Sequence, residues 1–279
     1  MRQISAQRIT ETVKRLCVEA NCFLPEDVRS CIRRSRAKED WPQAAEILDS
    51  IIENYKIAGE LTQPVCQDTG LACVFLKIGQ QVHIEGDLTE AVNEGVRQGY
   101  REGYLRKSAV ADPLNRVNTG DNTPAMLYME LIPGDRVEVT VAPKGFGSEN
   151  MSAIKMLRPS DGVEGVKDFV VQTVKNAGPN PCPPIVVGVG IGGTFDKAAY
   201  LAKKALLRPL DSSHPEPYYK ALEEELLSAI NALGIGPQGF GGRTTALKVN
   251  IEKMPTHIAG LPVAVNINCH VTRHQTEVL

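Results

Sequence analysis

The sequence predicts an α+β protein, with a mixed β-sheet, flanking helical layers and a helical N-terminal segment. Three observations lead to this class. The first 60 residues repeat apolar side chains at helical spacing, the second half alternates strand-like with helix-like segments, and the middle holds two strand-like segments joined by a short turn. Since hairpins give antiparallel pairs and helical crossovers give parallel pairs, a chain that contains both predicts a mixed sheet.

The N-terminal segment, residues 1–60, is predicted to form helices that pack on the rest of the protein. Ile9 and Val13 begin one helical stripe, and residues 44–55 repeat the same spacing. No linker rich in proline or glycine follows this segment. The whole chain, residues 1–279, is therefore predicted to be a single domain.

Turn signals and a capping pair organise the central part of the chain. A polar turn precedes a strand predicted for residues 71–78. Asp87 and Glu90 have the spacing of a capping box, which predicts a helix that ends near residue 104. The polar stretch that follows, residues 106–124, is too long for a simple connector and indicates a functional loop.

The same signals predict the remaining elements. Residues 126–131 and 137–141 are expected to pair as a hairpin, and Asp161 with Glu164 is expected to cap a helix. Apolar runs and helical periodicity then predict the other elements of the second half: strands over 184–190, 246–251 and 263–268, and helices over 195–207 and 216–233.

Composition excludes several classes of function. The formal net charge is −2, so the protein lacks the positive field that nucleic-acid or membrane-surface binding requires. The longest apolar run, residues 184–189, is too short to cross a bilayer. The N-terminus is charged and lacks the apolar core of a signal peptide. A cytoplasmic protein that binds neither nucleic acid nor membrane is predicted.

Two glycine-rich segments match the G-x-G-x-x-G pattern of dinucleotide sites. Residues 188–193 follow a predicted strand and precede a predicted helix, as the pattern requires, but Asp211 follows a helix and not the second strand. Residues 234–239 match again, this time before a strand-like run. Tight turns or close backbone approach to a bound group are the simpler interpretation. An NAD-dependent oxidoreductase is an alternative that predicts no iron.

Seven cysteines occur, and three of them lie in stiff, polar or proline-flanked turns. These three are Cys66, Cys182 and Cys269, whereas Cys17 and Cys73 lie in helix-like or strand-like segments that indicate packing. No C-x-x-C pair exists, which excludes the compact zinc-ribbon and ferredoxin patterns. Spacing alone therefore does not predict a metal site.

Six segments between residues 63 and 274 form the most specific signal in the chain. They are QPVCQDTG (63–70), DPLNRVNTGDNTPA (112–125), GSENMSAIKMLRPSDG (147–162), NPCPPIVVGVGIGGTFDKAA (180–199), GIGPQGFGGRTTALKV (234–249) and NINCHVTRH (266–274). Together they closely resemble the class I, iron–sulfur fumarate hydratase and tartrate dehydratase family. More narrowly, the chain resembles the alpha subunit of a two-subunit member.

The resemblance implies a [4Fe-4S] cluster held by Cys66, Cys182 and Cys269. Three thiolates leave one iron open, and that iron can act as a Lewis acid on the substrate hydroxyl. By the same resemblance, Asp68 transfers a proton at the hydroxyl and Gln67 contacts the substrate.

Three further residues receive roles from the resemblance. Arg106 is expected to clamp a substrate carboxylate, which suits its planar fork, and Gly147 to offer a backbone N–H to a carboxylate. His257 is expected to orient Asp68 or the substrate. His270 and His274 receive no role.

The predicted function is reversible hydration of fumarate to (S)-malate, with L(+)-tartrate or a methyl-substituted dicarboxylate as the alternative substrate. Single-chain members of the family carry a C-terminal domain with a catalytic threonine, and this chain stops at Leu279. A separate beta subunit and an α2β2 assembly are therefore expected. A non-catalytic iron–sulfur sensor is the interpretation from another class, and the lack of a fourth cysteine near the three disfavours an electron carrier.

Overall fold

A computed structural model describes all residues, Met1 to Leu279, and confirms the α+β class. The helices and strands up to residue 149 are β1 Arg2–Ser5, α1 Ala6–Cys22, α2 Glu26–Lys38, α3 Pro42–Leu61, β2 Leu71–Gly79, β3 Val82–Glu85, α4 Leu88–Glu102, β4 Met126–Ile132, β5 Val137–Lys144 and α5 Phe146–Glu149. The others are β6 Ala153–Leu157, α6 Gly162–Ala177, β7 Ile185–Gly193, α7 Phe195–Ala205, α8 Pro217–Asn231, β8 Ala246–Thr256, β9 Leu261–Asn268 and β10 Gln275–Val278. None of the helices combines the length with the apolar composition that spanning a membrane requires.

The chain divides into two compact units, each built from separate stretches of sequence. Unit 1 contains Met1–Pro25, Asn54–Gly145 and Arg273–Leu279, and unit 2 contains Glu26–Glu53 and Phe146–Thr272. The prediction of one domain over residues 1–279 stays a prediction. Most of the N-terminal 60 residues are helical as expected, after the short strand β1.

In unit 1, helices α1 and α4 pack together with a four-stranded sheet of order β10-β5-β2-β4. The helices come close because α4 carries glycine where it meets α1. A Cβ on Gly95 would lie 2.7 Å from the Thr10 carbonyl oxygen, and one on Gly99 would lie 2.8 Å from that of Lys14. The predicted cap of α4 is confirmed, since the Asp87 side chain accepts a hydrogen bond from the Glu90 N–H.

The predicted hairpin between residues 126–131 and 137–141 is wrong. Both strands form, but β2 lies between them, parallel to β4 and antiparallel to β5. The connection passes around the end of β2, where Gly79 donates to the Arg136 carbonyl. A Cβ on Gly79 would lie 2.3 Å from the Gly134 carbonyl oxygen. Four linking residues suit either arrangement, so local sequence could not distinguish them.

Unit 2 contains a second four-stranded sheet, of order β6-β9-β7-β8, in which β7 is parallel to β8 and antiparallel to β9. Helices α6 and α8 contribute to its main hydrophobic core, and small side chains of α7 pack on β9. The helix over residues 162–177 is confirmed, but its predicted cap is wrong. The Asp161 carboxylate accepts the Arg158 N–H because a 3₁₀ turn precedes the helix.

The first glycine-rich segment lies within β7 and serves packing. A Cβ on Gly188 or Gly190 would lie 2.1 Å from the carbonyl oxygens of Ala202 or Ala198 in α7. These glycines let the helix lie directly on the strand. In a dinucleotide site the corresponding glycines form the turn between strand and helix. Gly188 and Gly190 therefore make room for a helix of the chain itself, and neither the dinucleotide alternative nor the predicted approach to a bound group describes them.

A buried ionic cluster joins α8 to β8 in unit 2. Glu223 is only 3% exposed and accepts hydrogen bonds from the Arg208 guanidinium at 2.7 Å, the Ile251 N–H at 2.8 Å and the His214 N–H at 3.2 Å. Removing one partner of such a buried pair leaves a charge without compensation and costs about 3–5 kcal/mol.

We expect Glu223→Ala to lower the free energy of unfolding by about 3–5 kcal/mol, for this reason. Urea-induced unfolding followed by circular dichroism measures it. The neighbouring, exposed Glu224 offers the control, since a surface substitution changes stability by about 0.5 kcal/mol or less. Equal losses in both variants would contradict the prediction.

Candidate active site

The first part of the candidate site is the turn that leads into β2 of unit 1. Cys66 Sγ accepts the N–H of Asp68 at 3.4 Å, and the Asp68 carboxylate accepts the N–H of Gly70 at 3.0 Å. The adjacent Gly145 leaves room for this carboxylate, because a Cβ there would lie 3.1 Å from Asp68 Oδ2. The structure thus places Cys66, Gln67 and Asp68 on one compact turn.

Arg106 is held against this turn through its backbone. The Thr69 hydroxyl accepts the Arg106 N–H at 2.9 Å and donates to the Arg106 carbonyl at 3.1 Å. Buried Asn122 closes the base of the polar loop, since it donates to the Gly70 carbonyl and accepts the Ser108 N–H. Arg106 is an exposed residue, so its side chain is accessible to an anion in solution. Four of the predicted site residues therefore lie together in unit 1.

The same polar loop carries a carboxylate with a depressed pKa. Burial would raise the pKa of Asp121, but hydrogen bonds from the Thr123 N–H and hydroxyl and from the Arg97 guanidinium outweigh burial and lower the pKa to about 2. The ordinary value is 3.8. The charged form is therefore favoured in the folded state.

We expect Asp121→Asn to lower Tm at neutral pH, because the variant loses these charge-assisted hydrogen bonds. A carboxyl group whose pKa is lower in the folded than in the unfolded protein stabilises the fold at pH values above its unfolded pKa. That contribution disappears as the pH falls through the folded pKa. The gap in Tm between wild type and variant should thus shrink as the pH falls from 3.8 toward 2. Thermal unfolding at a series of pH values measures it, and a gap independent of pH would contradict this account.

The second part of the candidate site lies at one end of the sheet in unit 2. Cys182 precedes the first residue of β7, and Cys269 follows the last residue of β9. Because these strands are antiparallel and Val186 pairs with Asn268, both cysteines lie at the same end of the sheet. Cys182 adopts a left-handed backbone conformation with φ of 53°.

Gln238 and His270 bind the two cysteine-bearing loops together. The N–H and the side-chain amide of Gln238 both donate to the Pro183 carbonyl at 2.8 Å. His270 Nδ1 lies 3.3 Å from Gln238 Nε2 and 3.1 Å from the Cys182 carbonyl oxygen. The second glycine-rich segment thus wraps the Cys182 loop. Its Gly239 approaches Pro179 so closely that a Cβ would lie 2.4 Å from the proline Cβ.

Gly147 lies beside the Cys182 loop, since a Cβ on this glycine would lie 3.8 Å from the Asn180 carbonyl oxygen. Its short helix α5 is anchored by Glu149, whose carboxylate pairs with Lys203 at 2.5 Å and accepts the Asn266 amide at 2.7 Å. Gly147 is exposed while this anchor is mostly buried. The arrangement holds an accessible backbone segment next to Cys182.

His257 is separated from these cysteines. It lies in the turn between β8 and β9, directly after Thr256, which pairs with Gly193 at the end of β7. Cys182 precedes the opposite end of β7. Eight residue steps of roughly 3.3 Å place the two ends about 26 Å apart. Within one copy of unit 2, His257 therefore does not meet Cys182 or Cys269.

The three predicted ligands have the chemistry that a thiolate-bound cluster requires. Cys182 is exposed, Cys66 and Cys269 are partly exposed, and the other four cysteines are buried. The N–H donated to Cys66 Sγ is the kind of hydrogen bond that tunes cluster thiolates. Cys17, by contrast, is fully buried, and burial raises its pKa to about 12. The donor set fits the cluster, and the ligand assignment stays a prediction.

Three residues that support the site carry no functional signal in the local sequence. Gln238 lies inside a glycine-rich motif, and Glu149 and Arg273 lie inside longer motif segments. Arg273 is 4% exposed and donates to the Asp68 carbonyl. Nothing in its local sequence signals burial, because polar residues flank it on both sides.

Comparison with known proteins defines the class. The family model described as fumarate hydratase (Fumerase) matches residues 10–278, so the chain belongs to this family. Its relatives are dehydratase subunits, which places the chain among the hydro-lyases.

Individual relatives cover nearly the whole chain. A Methanocaldococcus jannaschii protein that carries the provisional name L(+)-tartrate dehydratase subunit alpha is 46% identical over 273 residues, 95% of each chain. The L(+)-tartrate dehydratase subunit alpha of Escherichia coli (strain K12) is 34% identical over 279 residues, 99% of this chain and 92% of that protein. The protein of the same name from Shigella sonnei shows the same identity and coverage.

Proposed function

We propose that this chain is the alpha-type subunit of a hydro-lyase that dehydrates a small hydroxy-dicarboxylate, with L(+)-tartrate as the first substrate to test. The observation that carries the proposal is the match along nearly the full chain to relatives named as tartrate dehydratase alpha subunits. This order reverses the one predicted from sequence, in which fumarate and malate came first. Fumarate hydration remains the second candidate because the matching family model bears that name.

The proposed site combines the residues described above. Cys66, Cys182 and Cys269 would hold a [4Fe-4S] cluster, which when bound supplies a Lewis acid through an iron that the protein leaves open. Support comes from their accessibility and from the adjacency of the Cys182 and Cys269 loops.

Side chains of unit 1 supply proton transfer and substrate binding. Asp68 donates the proton to the departing hydroxyl, since its carboxyl group lies on the turn that carries Cys66. Arg106 binds one substrate carboxylate through its guanidinium, and the Thr69 hydrogen bonds hold the Arg106 backbone beside the turn that carries Asp68. Gln67 contacts the substrate from the same turn.

In unit 2, Gly147 presents a backbone N–H toward a carboxylate, and the Glu149–Lys203 pair holds its helix in place. The base that removes the carbon-bound proton is assigned to a beta subunit. The names of the relatives support the existence of such a second subunit, since an alpha subunit is one of at least two kinds of chain. We propose an α2β2 assembly in the cytoplasm.

A steady-state assay tests the substrate. The chain is reconstituted anaerobically with iron and sulfide, combined with the second subunit, and supplied with L(+)-tartrate, (S)-malate or fumarate. Dehydration of tartrate yields oxaloacetate, which a coupled malate dehydrogenase detects, while fumarate is followed by its ultraviolet absorbance. We expect kcat/KM for tartrate to exceed that for malate by at least about 100-fold, because a site built for two hydroxyls leaves polar groups unpaired with malate. The opposite ratio would establish fumarate hydration, and no turnover of any of the three would refute the proposal.

The separation of His257 from the cysteines requires that a second copy of the chain supply it if it acts in the site. In a two-fold dimer each copy would give its β8–β9 turn to the other. We expect inactive Asp68→Asn and inactive His257→Asn chains to regain about a quarter of wild-type activity when unfolded together and co-refolded. When the two variant chains pair at random, half of the dimers contain one chain of each kind. In such a mixed dimer one of the two sites holds both native Asp68 and native His257, so a quarter of all sites are complete. Mixtures without recovered activity would contradict the exchange.

A further inference from the structure

Arg273 carries a positive charge into the interior of unit 1. Its side chain is only 4% exposed, and one terminal nitrogen donates to the backbone carbonyl of Asp68. The other two guanidinium nitrogens, Nε and Nη1, are buried without a hydrogen-bond partner in the protein. A guanidinium has five N–H donors, so this one is far from satisfied.

No carboxylate of the chain pairs with this charge. The hydrogen bond of Arg273 to Asp68 goes to the backbone carbonyl. Cys22 and Tyr100 lie near Arg273, and burial raises the pKa of both. Both groups are therefore neutral near pH 7. Arg208 in unit 2 shows the usual arrangement, since it pairs with the buried carboxylate of Glu223.

A buried charge without a counter-charge destabilises the protein that contains it. Its position, however, favours negative charge on the Cys66–Asp68 turn. Asp68 is held from both sides, because its carbonyl accepts from Arg273 and its N–H donates to Cys66 Sγ. Any thiolate-bound cluster at Cys66, and any dicarboxylate beside it, adds negative charge here.

We propose that Arg273 is the fixed counter-charge for the anionic group held at the Cys66–Asp68 turn. This inference rests on the proposed function, since the anionic group is the thiolate-bound cluster together with its dicarboxylate substrate. Arg273 is a positioning residue, because it acts through the turn and does not reach the reacting atoms. In the iron-free chain the uncompensated charge of Arg273 destabilises the fold, and the bound anionic cluster would compensate that charge.

Two measurements on Arg273→Met, Arg273→Lys and the control Arg208→Met test the assignment. The first is Tm of the iron-free full chain. The second is the anaerobic rate at which the reconstituted chain releases iron to an iron(II) chelator. We expect Arg273→Met to leave Tm of the iron-free chain unchanged or higher and to release iron roughly 10-fold faster, the size typical of supporting residues around a metal. Arg273→Lys should release iron at close to the wild-type rate because it keeps the charge.

The control should behave in the opposite way. Arg208→Met leaves the buried Glu223 carboxylate without its partner cation, so Tm of this variant in the iron-free state should fall. A comparable fall in Tm for Arg273→Met would make Arg273 an ordinary structural residue and overturn the proposal, as would iron release at the wild-type rate. If the wild-type chain takes up no iron, the cluster assignment itself is refuted. In that case an iron-free Arg273→Met chain with unchanged or higher Tm would still show that the charge of Arg273 is uncompensated.

Discussion

Replacing Cys66, Cys182 or Cys269 by serine is expected to abolish iron binding and to reduce turnover at least about 10³-fold. In the proposed function the cluster would supply the Lewis acid, and losing several kcal/mol of transition-state stabilisation corresponds to a loss of this size. Iron and acid-labile sulfide per chain after anaerobic reconstitution measure the first effect. The steady-state assay measures the second.

Cys17 provides the control for these substitutions. It lies in the core of unit 1, where burial raises its pKa to about 12, so it cannot readily supply a thiolate. Cys17→Ala should keep its iron while losing some stability. Equal iron contents in Cys17→Ala and the three serine variants would refute the ligand assignment.

Asp68→Asn is expected to lower kcat about 10³-fold while the chain retains its iron. Proton transfer by a positioned acid contributes roughly 10²- to 10⁴-fold, and an amide cannot replace the carboxyl group in this role. The amide oxygen can still accept the Gly70 N–H, so the turn should persist. Measuring kcat, KM and iron content separates a chemical role from a structural one.

Asp112 is a matched control, because its carboxylate also accepts the N–H two residues ahead, that of Leu114, at 2.8 Å. It lies on the exposed part of the polar loop. Asp112→Asn should therefore leave kcat within about 2-fold of wild type, as expected for a surface position away from the chemistry. Loss of iron in Asp68→Asn, or similar kcat values in both variants, would contradict the assignment of Asp68.

Strong local signals predicted much of the fold from sequence. The Asp87 cap, the helices around residues 195–207 and 216–233 and the buried strands of the second half all have short-range causes, and they form where expected. The hairpin failed because pairing depends on which strand inserts between two others. That choice is made by long-range packing, and four linking residues permit either outcome.

The glycine-rich segments show the same limit. Gly188 and Gly190 match a phosphate-binding pattern by their spacing, yet the structure places them beneath helix α7. A glycine is required wherever backbone approaches closely, whether the neighbour is a phosphate or a helix. A glycine in the sequence therefore indicates that a side chain is excluded, but not whether a phosphate or a helix excludes it.

The sequence alone determined the α+β class through its apolar periodicity and the family through its motifs. It also determined the nomination of Cys66 with Gln67 and Asp68, because these three residues are neighbours in the chain. Only the folded chain brings Arg106 to that turn, joins the Cys182 and Cys269 loops through Gln238, and separates His257 from them by the length of a strand. It also buries Arg273 behind Asp68. The physical reason is that hydrogen bonds and burial between residues distant in sequence depend on strand order and register, which a single sequence does not specify.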